Sequence, residues 1–214
     1  QTSGLIRANH IGTVQAHWSI LADIEAIGTS LTNPDLENDV INLVWAQRNS
    51  NWSPEFALDG SILGDIRSNG GNIGTIEAAA FIGAVNNAAS SNTQTIETGG
   101  GNIGSIIAGS LGEVTIDCLG SSNGQVNSIV TTVGGWGYDE GYETFLNDDI
   151  DFDPSGRPMG FTSGGSLIAG RLGALSLKGS LDSSLSIGSI VRAGPGRSAT
   201  RSAPTRSSRC ETAA

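Results

Sequence analysis

The residues with the clearest chemical potential form an acidic run at 147–156. An Asp-x-Asp-x-Ser-Gly stretch begins at Asp151, and it matches the first half of a calcium loop, with oxygen ligands at alternate positions. The twelfth position of such a loop is Thr162 rather than a bidentate glutamate, so an EF-hand as such is excluded. A solvated acidic turn is the alternative interpretation. The expected Ca²⁺ ligands are Asp149, Asp151, Asp153 and Ser155.

Aromatic side chains are concentrated in two segments, 29–59 and 134–163, which hold 9 of the 11 aromatic residues. Aromatic rings on exposed loops stack on sugar rings, whereas rings folded against a core only bury apolar surface. The first alternative predicts a carbohydrate-binding surface, and the second predicts small satellite cores. The candidate ligand-binding residues are Trp45, Trp52, Trp136, Tyr138 and Tyr142.

Motifs of known enzymes are missing from the chain. The sequence has no HExxH, no GxSxG and no Walker loop, and its two histidines, His10 and His17, match no metal-ligand spacing. We therefore assign no catalytic residue. Enzymatic activity stays open at this stage, with a non-enzymatic role preferred.

The element that must position these residues is a short repeat of the form aliphatic, Gly, any residue, aliphatic. Neighbouring copies are often 8 to 10 residues apart. An interior Gly costs a helix about 1 kcal/mol relative to Ala, whereas Ile and Val favour strands and Gly marks a bend or a close backbone approach. The eight copies begin at Ile11, Leu63, Ile73, Ile82, Ile103, Leu111, Leu172 and Ile187.

Longer segments also resemble one another. Residues 71–76 match 101–106 at an offset of 30, and residues 19–24 match 61–66 at an offset of 42. A third alignment places Ser105–Val114 on Ser166–Leu175 at an offset of 61. We expect each pair to occupy equivalent positions in successive coils of a repeat architecture.

Short strands that turn at glycine and repeat in this way predict an all-β fold, a parallel β-helix or β-solenoid. A β-sandwich is the alternative, because its strands also recur every 8 to 12 residues. The expected inward residues form one column: Ile11, Val14, Ile24, Ile66, Ile73, Ile76, Ile82, Val85, Ile103, Ile106, Leu111, Val114, Leu172, Leu175, Ile187 and Ile190.

The predicted domain spans residues 1–194, with two inserted loops at 29–59 and 134–163. The coils are expected at 4–28, 60–133 and 164–194. Within the first loop, Pro34 after Asn33 is a helix-start signal, but the run Ile41–Trp45 is equally compatible with a strand. Residues 195–214 form an irregular, basic, low-complexity tail without aliphatic periodicity.

Charge is divided unevenly along the chain. Residues 1–191 contain 20 acidic and 6 basic residues, a net charge of −14, whereas 192–214 contain five arginines and one glutamate, a net charge of +4. So acidic a body repels phosphate and argues against nucleic-acid binding. No apolar run reaches the ~20 residues of a membrane span. The cysteines, Cys118 and Cys210, have no metal-type spacing, and their pairing is left open.

The repeats around residues 102–114 and 166–177 (NIGSIIAGSLGEV and SLIAGRLGALSL) resemble the Gly-rich coils of bacterial cell-surface proteins with a right-handed parallel β-helix, similar in architecture to pectate lyases. The resemblance implies an extracellular or cell-surface location and a structural or adhesive role in a surface or matrix assembly. The expected partners are neighbouring β-helix coils, by self-association, and polysaccharide. The alternative is a carbohydrate-binding or carbohydrate-active module that uses the aromatic and acidic loops.

Overall fold

The computed structural model describes residues 4–28, 39–47, 60–83, 94–118, 124–136, 165–178, 181 and 184–193, with the backbone alone for 39 and 184–193. These residues form twelve strands. Their bounds are β1 Leu5–Ala8, β2 Ile11–Ala16, β3 Asp23–Ala26, β4 Asp39–Ala46, β5 Ile66–Ser68, β6 Asn72–Ile82, β7 Gln94–Thr98, β8 Ile103–Leu111, β9 Val114–Asp117, β10 Gln125–Thr131, β11 Ser166–Ser176 and β12 Ser184–Ala193.

Every strand pairing in the described ranges is parallel, and none of their residues is helical. Eleven strands follow one path, in the order β1-β3-β5-β7-β9-β11-β10-β8-β6-β4-β2, and β12 pairs with β11. The path winds about 309° round an axis. The parallel β-helix is confirmed, and the antiparallel β-sandwich is excluded for this part of the chain.

Each coil has three sides, which we call sides A, B and C. Side A contains β1, β3, β5, β7, β9 and the first half of β11, and side B contains β2, β4, β6, β8, β10 and the second half of β11. Side C is a row of mostly isolated parallel pairings, to which β6 and β8 contribute their last residues, Ile82 and Leu111. The repeats that begin at Leu63, Ile73 and Ile82 supply sides A, B and C of one coil, so the 8-to-10-residue spacing is the length of one side.

The core consists of aliphatic columns that run along the axis, one residue per coil, rather than of the single predicted column. Within each column, successive residues are in register on neighbouring strands, so each new coil covers the apolar surface left by the last. Burying such a side chain contributes about 1.5–3 kcal/mol. The column on side A is Ile6, Ile24, Ile66, Ile96, Ile116 and Leu167. The two columns on side B are Ile11, Ile41, Ile73, Ile103, Val126 and Leu172, and Val14, Val44, Ile76, Ile106, Ile129 and Leu175.

Most of the predicted inward residues are buried. Val14 and Leu175 are half-buried and pack against the core. Val85 and the side chains of Ile187 and Ile190 lie outside the described residues. The buried ones are Ile11, Ile24, Ile66, Ile73, Ile76, Ile82, Ile103, Ile106, Leu111, Val114 and Leu172.

Two sequence predictions need correction. Residues 39–46 form β4, which pairs with β2 and β6 on side B, so this part of the predicted 29–59 loop belongs to a coil. The offsets of 30 and 42 are confirmed by the registers Ile73↔Ile103 and Ile24↔Ile66. The offset of 61 is wrong: Ser166 is in register with Thr115 on side A, whereas Ser105 lies on side B. The alignment had matched a copy of the repeat on side B with a similar copy on side A.

Side-chain oxygens at the corners join each coil to the next by accepting a hydrogen bond from its backbone. Before side A, Asp23 Oδ1 accepts from the N–H of Asp65 at 2.9 Å, and Asp65 Oδ1 accepts from the N–H of Thr95 at 2.8 Å. Before side B, Asn72 Oδ1 accepts from the N–H of Asn102 at 2.8 Å, and Asn102 Oδ1 accepts from the N–H of Gln125 at 3.0 Å. These contacts satisfy backbone donors that the corners would otherwise leave unpaired.

Glycine at the corners permits this close stacking. A Cβ on Gly101 would lie 2.2 Å from the carbonyl oxygen of Gly71 in the coil below. The space is therefore filled by backbone, which cannot move aside as a flexible side chain can. This corner therefore requires glycine.

Candidate functional site

Trp45 lies on side B, in the outward-facing series of β4. Its neighbours in register are Gln15 on β2 and Glu77 on β6. The side chain is half-buried, Gln15 is exposed and Glu77 is half-buried. An aromatic face between a side-chain amide and a carboxylate is an arrangement that can stack on a sugar ring and hydrogen-bond its hydroxyls.

Trp136 occupies a different environment from the one predicted. It lies on side C, bridged in parallel to Leu111 and to Leu181, and it is 0% exposed within the hydrophobic core. A fully buried indole has no surface to offer a ligand, so its assignment as an exposed binding residue is wrong. The residue is instead the side C member of its coil.

The other sequence-predicted site residues lie outside the described residues. These are the aromatic candidates Trp52, Tyr138 and Tyr142 and the calcium candidates Asp149, Asp151, Asp153 and Ser155. Within the ranges that the structure does describe, no three His, Cys, Asp or Glu side chains come together to hold a metal ion. The Ca²⁺ site at 149–155 stays a prediction.

Cys118 lies at the end of β9, one position beyond the register pair Glu97↔Asp117, and its thiol is fully buried. Burial raises the pKa of the Cys118 thiol from 9.0 to about 12; a hydrogen bond with Thr98 works in the opposite direction, and the charge of Asp117 adds to the rise. Since the thiolate is the nucleophilic form, this cysteine is protonated and unreactive near neutral pH. Cys210 lies outside the described residues.

The outer surface of side A carries a row of charges that we call the charge ladder. It consists of Arg7, Glu25, Arg67, Glu97 and Asp117, each in register with the next. Arg7 Nη2 lies 2.5 Å from Glu25 Oε2, and Arg67 Nε lies 3.9 Å from Glu97 Oε2. In the sequence, each of these five charged residues directly follows a residue of the side A column. This pattern is the sequence signal that identifies the row.

Most of the large hydrophobic side chains that are exposed in the described ranges lie in the first two coils. We call this set the N-terminal end surface, and it comprises Leu5 (54% exposed), Ile6 (39%), Trp18 (49%), Leu21 (55%) and Ile27 (41%). The equivalents of Ile6 in the next coils are nearly fully covered: Ile24 is 1% exposed and Ile66 is 0%. Ile6 is exposed because β1 pairs, among the described strands, only with β3. The side A column is therefore exposed at its first residue, whereas Ile11, the first residue of one side B column, is buried.

None of the described residues forms a helix long and apolar enough to cross a membrane. Comparison with known proteins yields no match: no protein-family model fits the chain, and neither a curated protein nor a solved structure is significantly similar to it.

Proposed function

We propose that the protein is an extracellular structural or adhesive β-solenoid segment of a surface or matrix assembly. The observation that carries the proposal is the continuity of the stack. In the described part of the chain, β1, β3, β5, β7, β9, β11 and β12 give side A seven successive levels. At about 4.8 Å between neighbouring strands, the stack forms a rod roughly 30 Å long.

Three sets of contacts stiffen this rod along the same axis. The aliphatic columns exclude water, the strand pairings join backbones, and the corner side chains of Asp23, Asp65, Asn72 and Asn102 tie each coil to the next. Interactions repeated between nearest neighbours suit a spacer or scaffold, whose job is to hold a shape. The resemblance of the repeats to Gly-rich surface proteins supports the same role.

The charge of the body also favours an extracellular setting. Residues 1–191 carry a net charge of −14, which resists association with nucleic acid and keeps a repetitive β-protein soluble in the presence of salt. On side A, Arg7 forms an ion pair with Glu25, and Arg67 lies within ion-pair distance of Asp65 and Glu97.

The proposal is tested by locating the protein in intact cells of its source. Labelling with a membrane-impermeant biotin reagent, followed by fractionation, should recover the labelled protein from the surface or matrix fraction. A cytoplasmic protein of known location serves as the control for leakage. Recovery of only unlabelled protein, from the cell interior, would overturn the extracellular role.

Trp45 favours a second candidate function, carbohydrate binding. Its half-buried indole lies between Gln15 and Glu77 on the outer surface of side B. A panel of neutral and acidic polysaccharides, tested against the parent protein and Trp45→Ala, measures this role. Binding that falls at least tenfold in the variant supports it, and binding that is absent or insensitive to Trp45→Ala removes it. Trp18→Ala is the matched control, because Trp18 is an exposed tryptophan that lies outside strands β2, β4 and β6.

A further inference from the structure

We infer that a neutral polysaccharide chain binds lengthwise along side B, parallel to the axis of the solenoid, on a surface that we call the side B stripe. The inference rests on the second candidate function, carbohydrate binding at Trp45, and specifies its ligand. Each of the four strands that form the stripe is paired on both sides, since β2 lies beyond β4 and β11 lies beyond β10. The stripe consists of outward residues that are all half-buried: Leu43 and Trp45 on β4, Thr75 and Glu77 on β6, Ser105 and Ile107 on β8, and Ser128 and Val130 on β10.

The first support is the scarcity of charge on the stripe. Glu77 is the one charged residue among the eight, whereas the charge ladder on side A has five charged residues in register. The stripe has no cation to pair with an acidic sugar, and residues 1–191 carry a net charge of −14, which repels a polyanion. A neutral chain avoids this repulsion.

The second support is the row of the stripe that contains Trp45. Trp45, Glu77, Ile107 and Val130 are in register on successive strands, so the row is apolar except for one carboxylate. An aromatic or aliphatic side chain covers the apolar face of a sugar ring, and a carboxylate accepts hydrogen bonds from its hydroxyls. Both kinds of contact therefore recur along the axis.

The third support is the neighbouring row, which carries hydroxyl groups. Thr75, Ser105 and Ser128 are in register with one another, and the Oγ atoms of Ser128 and Ser105 lie 3.0 Å apart. A hydrogen bond between two hydroxyls uses one of their two protons, so the other proton is left to donate to a ligand. The row thus supplies both donors and acceptors beside the apolar row.

The fourth support is the shape of the stripe. Its two rows are two residues apart along the strands, or about 7 Å, and its four strands span about 14 Å along the axis. The enclosed area of about 100 Å² is far below the roughly 800 Å² per partner of a standard protein interface. These proportions suit one extended chain. Only a chain that runs lengthwise meets both Trp45 and Ser128, which are three strands apart.

The first test measures the class of ligand by native electrophoresis through gels that contain a polysaccharide. Hydroxyethylcellulose, xyloglucan and galactomannan are the neutral probes, and carboxymethylcellulose is the acidic counterpart of the first. At least one neutral probe should retard the parent protein, with an affinity at least tenfold higher than that for carboxymethylcellulose. Retardation by none of the neutral probes, or equal retardation by carboxymethylcellulose, would overturn the inference.

The second test measures the direction of the chain. Ser128→Val removes a hydroxyl about 14 Å from Trp45 along the axis and keeps a side chain that suits a strand. Its affinity for the best neutral probe should fall at least threefold. Ser166→Val is the matched control: Ser166 is half-buried on side A, and its Oγ lies 3.4 Å from Thr115 Oγ1. This control should bind as the parent does, and thermal melting should show that both variants are folded.

The two tests separate the lengthwise path from carbohydrate binding itself. A loss of affinity in Trp45→Ala that is absent in Ser128→Val would remove the path and leave carbohydrate binding at Trp45 standing. Failure of every polysaccharide to bind would remove both and leave the structural role, which surface labelling tests. A parent that sediments as a dimer, and a Ser128→Val variant that sediments as a monomer, would make the stripe a protein interface and overturn the inference.

Discussion

Asp23 and Asp65 are 42 residues apart in sequence, yet Asp23 Oδ1 accepts a hydrogen bond from the backbone N–H of Asp65 at 2.9 Å. Asp65 repeats the contact toward Thr95 at 2.8 Å, and its other carboxylate oxygen lies 2.6 Å from Arg67 Nη2. One side chain thus joins the backbone of the next coil to a member of the charge ladder.

We expect Asp65→Ala to destabilise the protein by about 1–3 kcal/mol, because the N–H of Thr95 loses its partner in a half-buried corner. Asp65→Asn retains an acceptor oxygen and should cost less. Urea unfolding followed by circular dichroism measures both. Glu97→Ala, which removes an exposed member of the charge ladder, is the control and should stay within about 0.5 kcal/mol of the parent. Equal losses for Asp65→Ala and Glu97→Ala would show that the corner contact contributes nothing specific.

Replacing isoleucine by alanine at two positions of the side A column should lower the free energy of unfolding by different amounts. Ile66→Ala should cost about 2–5 kcal/mol, since Ile66 is fully covered by the coils above and below. Ile6→Ala should cost less than half as much, because Ile6 is 39% exposed. Chemical denaturation at low micromolar concentration compares the two. A larger loss of stability for Ile6→Ala than for Ile66→Ala would contradict the exposed position of Ile6 at the start of the side A column.

Two glycines predict opposite effects of an added methyl group. In Gly101→Ala the new Cβ would meet the backbone oxygen of Gly71 at 2.2 Å, so the corner must shift, and we expect a loss of at least about 2 kcal/mol. In Gly12→Ala nothing lies within 4 Å of the added Cβ. That substitution should be neutral or stabilise by about 0.4–1 kcal/mol through the unfolded chain. Thermal melting of the two variants tests the difference, and a stable Gly101→Ala would refute the stacking of these corners.

Cys118 predicts a loss of stability in alkali. Because burial raises the pKa of the thiol from 9.0 to about 12, the native state holds the proton more tightly than the unfolded chain. The resulting stabilisation is complete below pH 9 and disappears as the pH rises toward 12, with a slope of up to about 1.4 kcal/mol per pH unit. Between pH 9 and pH 11, the parent should therefore lose about 2 kcal/mol more than Cys118→Ala.

Urea unfolding at pH 7, 9 and 11, under reducing conditions, gives this difference directly. Cys118→Ala should be less stable than the parent at pH 7, because it leaves a cavity, and the two should converge as the pH rises. Parallel pH profiles for the two proteins would show that the Cys118 thiol is not the responsible group.

The calcium prediction concerns Asp149, Asp151, Asp153 and Ser155. If Ca²⁺ binds the native state alone, a free concentration a hundredfold above its dissociation constant should add about 2.7 kcal/mol to the free energy of unfolding. Thermal melting in Ca²⁺ and in chelator measures the shift, which Asp151→Ala with Asp153→Ala should abolish. Asp139→Ala with Glu143→Ala, from the same acidic segment, should retain it. A melting temperature that ignores chelator would remove the site.

The architecture could be predicted because the aliphatic columns leave a direct trace in the sequence. Strand β4 was left open between helix and strand, and was placed in the first loop, for a physical reason. Its run Ile41-Asn42-Leu43-Val44 places Asn42 at the position that Gly12 and Gly74 occupy in the neighbouring strands. Asn42 is exposed and a Cβ on Gly12 meets nothing, so the first coils accept a side chain at this point of side B, whereas a Cβ on Gly104 would lie 2.3 Å from the carbonyl oxygen of Gly74.

The candidate site was harder to predict. Trp136 lies in a Gly-rich stretch that indicates an exposed loop, but it takes the place that Leu111 and Leu181 hold on side C. A side made of single pairings has no alternation that could reveal it. The exposure of Ile6 could not be predicted, because Ile6 and Ile24 follow the same sequence pattern. The two residues differ only in that no further described strand lies beside β1.

The stretches of chain that connect equivalent positions of successive coils differ greatly in length. Ile96 and Ile116, which pair directly, are 20 residues apart, whereas Ile116 and Leu167 are 51 apart. The entropy lost on closing a loop grows with its length, so Ile96 and Ile116 meet at a lower entropic cost than Ile116 and Leu167. Folding is expected to nucleate in coils joined by short connections, and the long connection between Ile116 and Leu167 should be closed late.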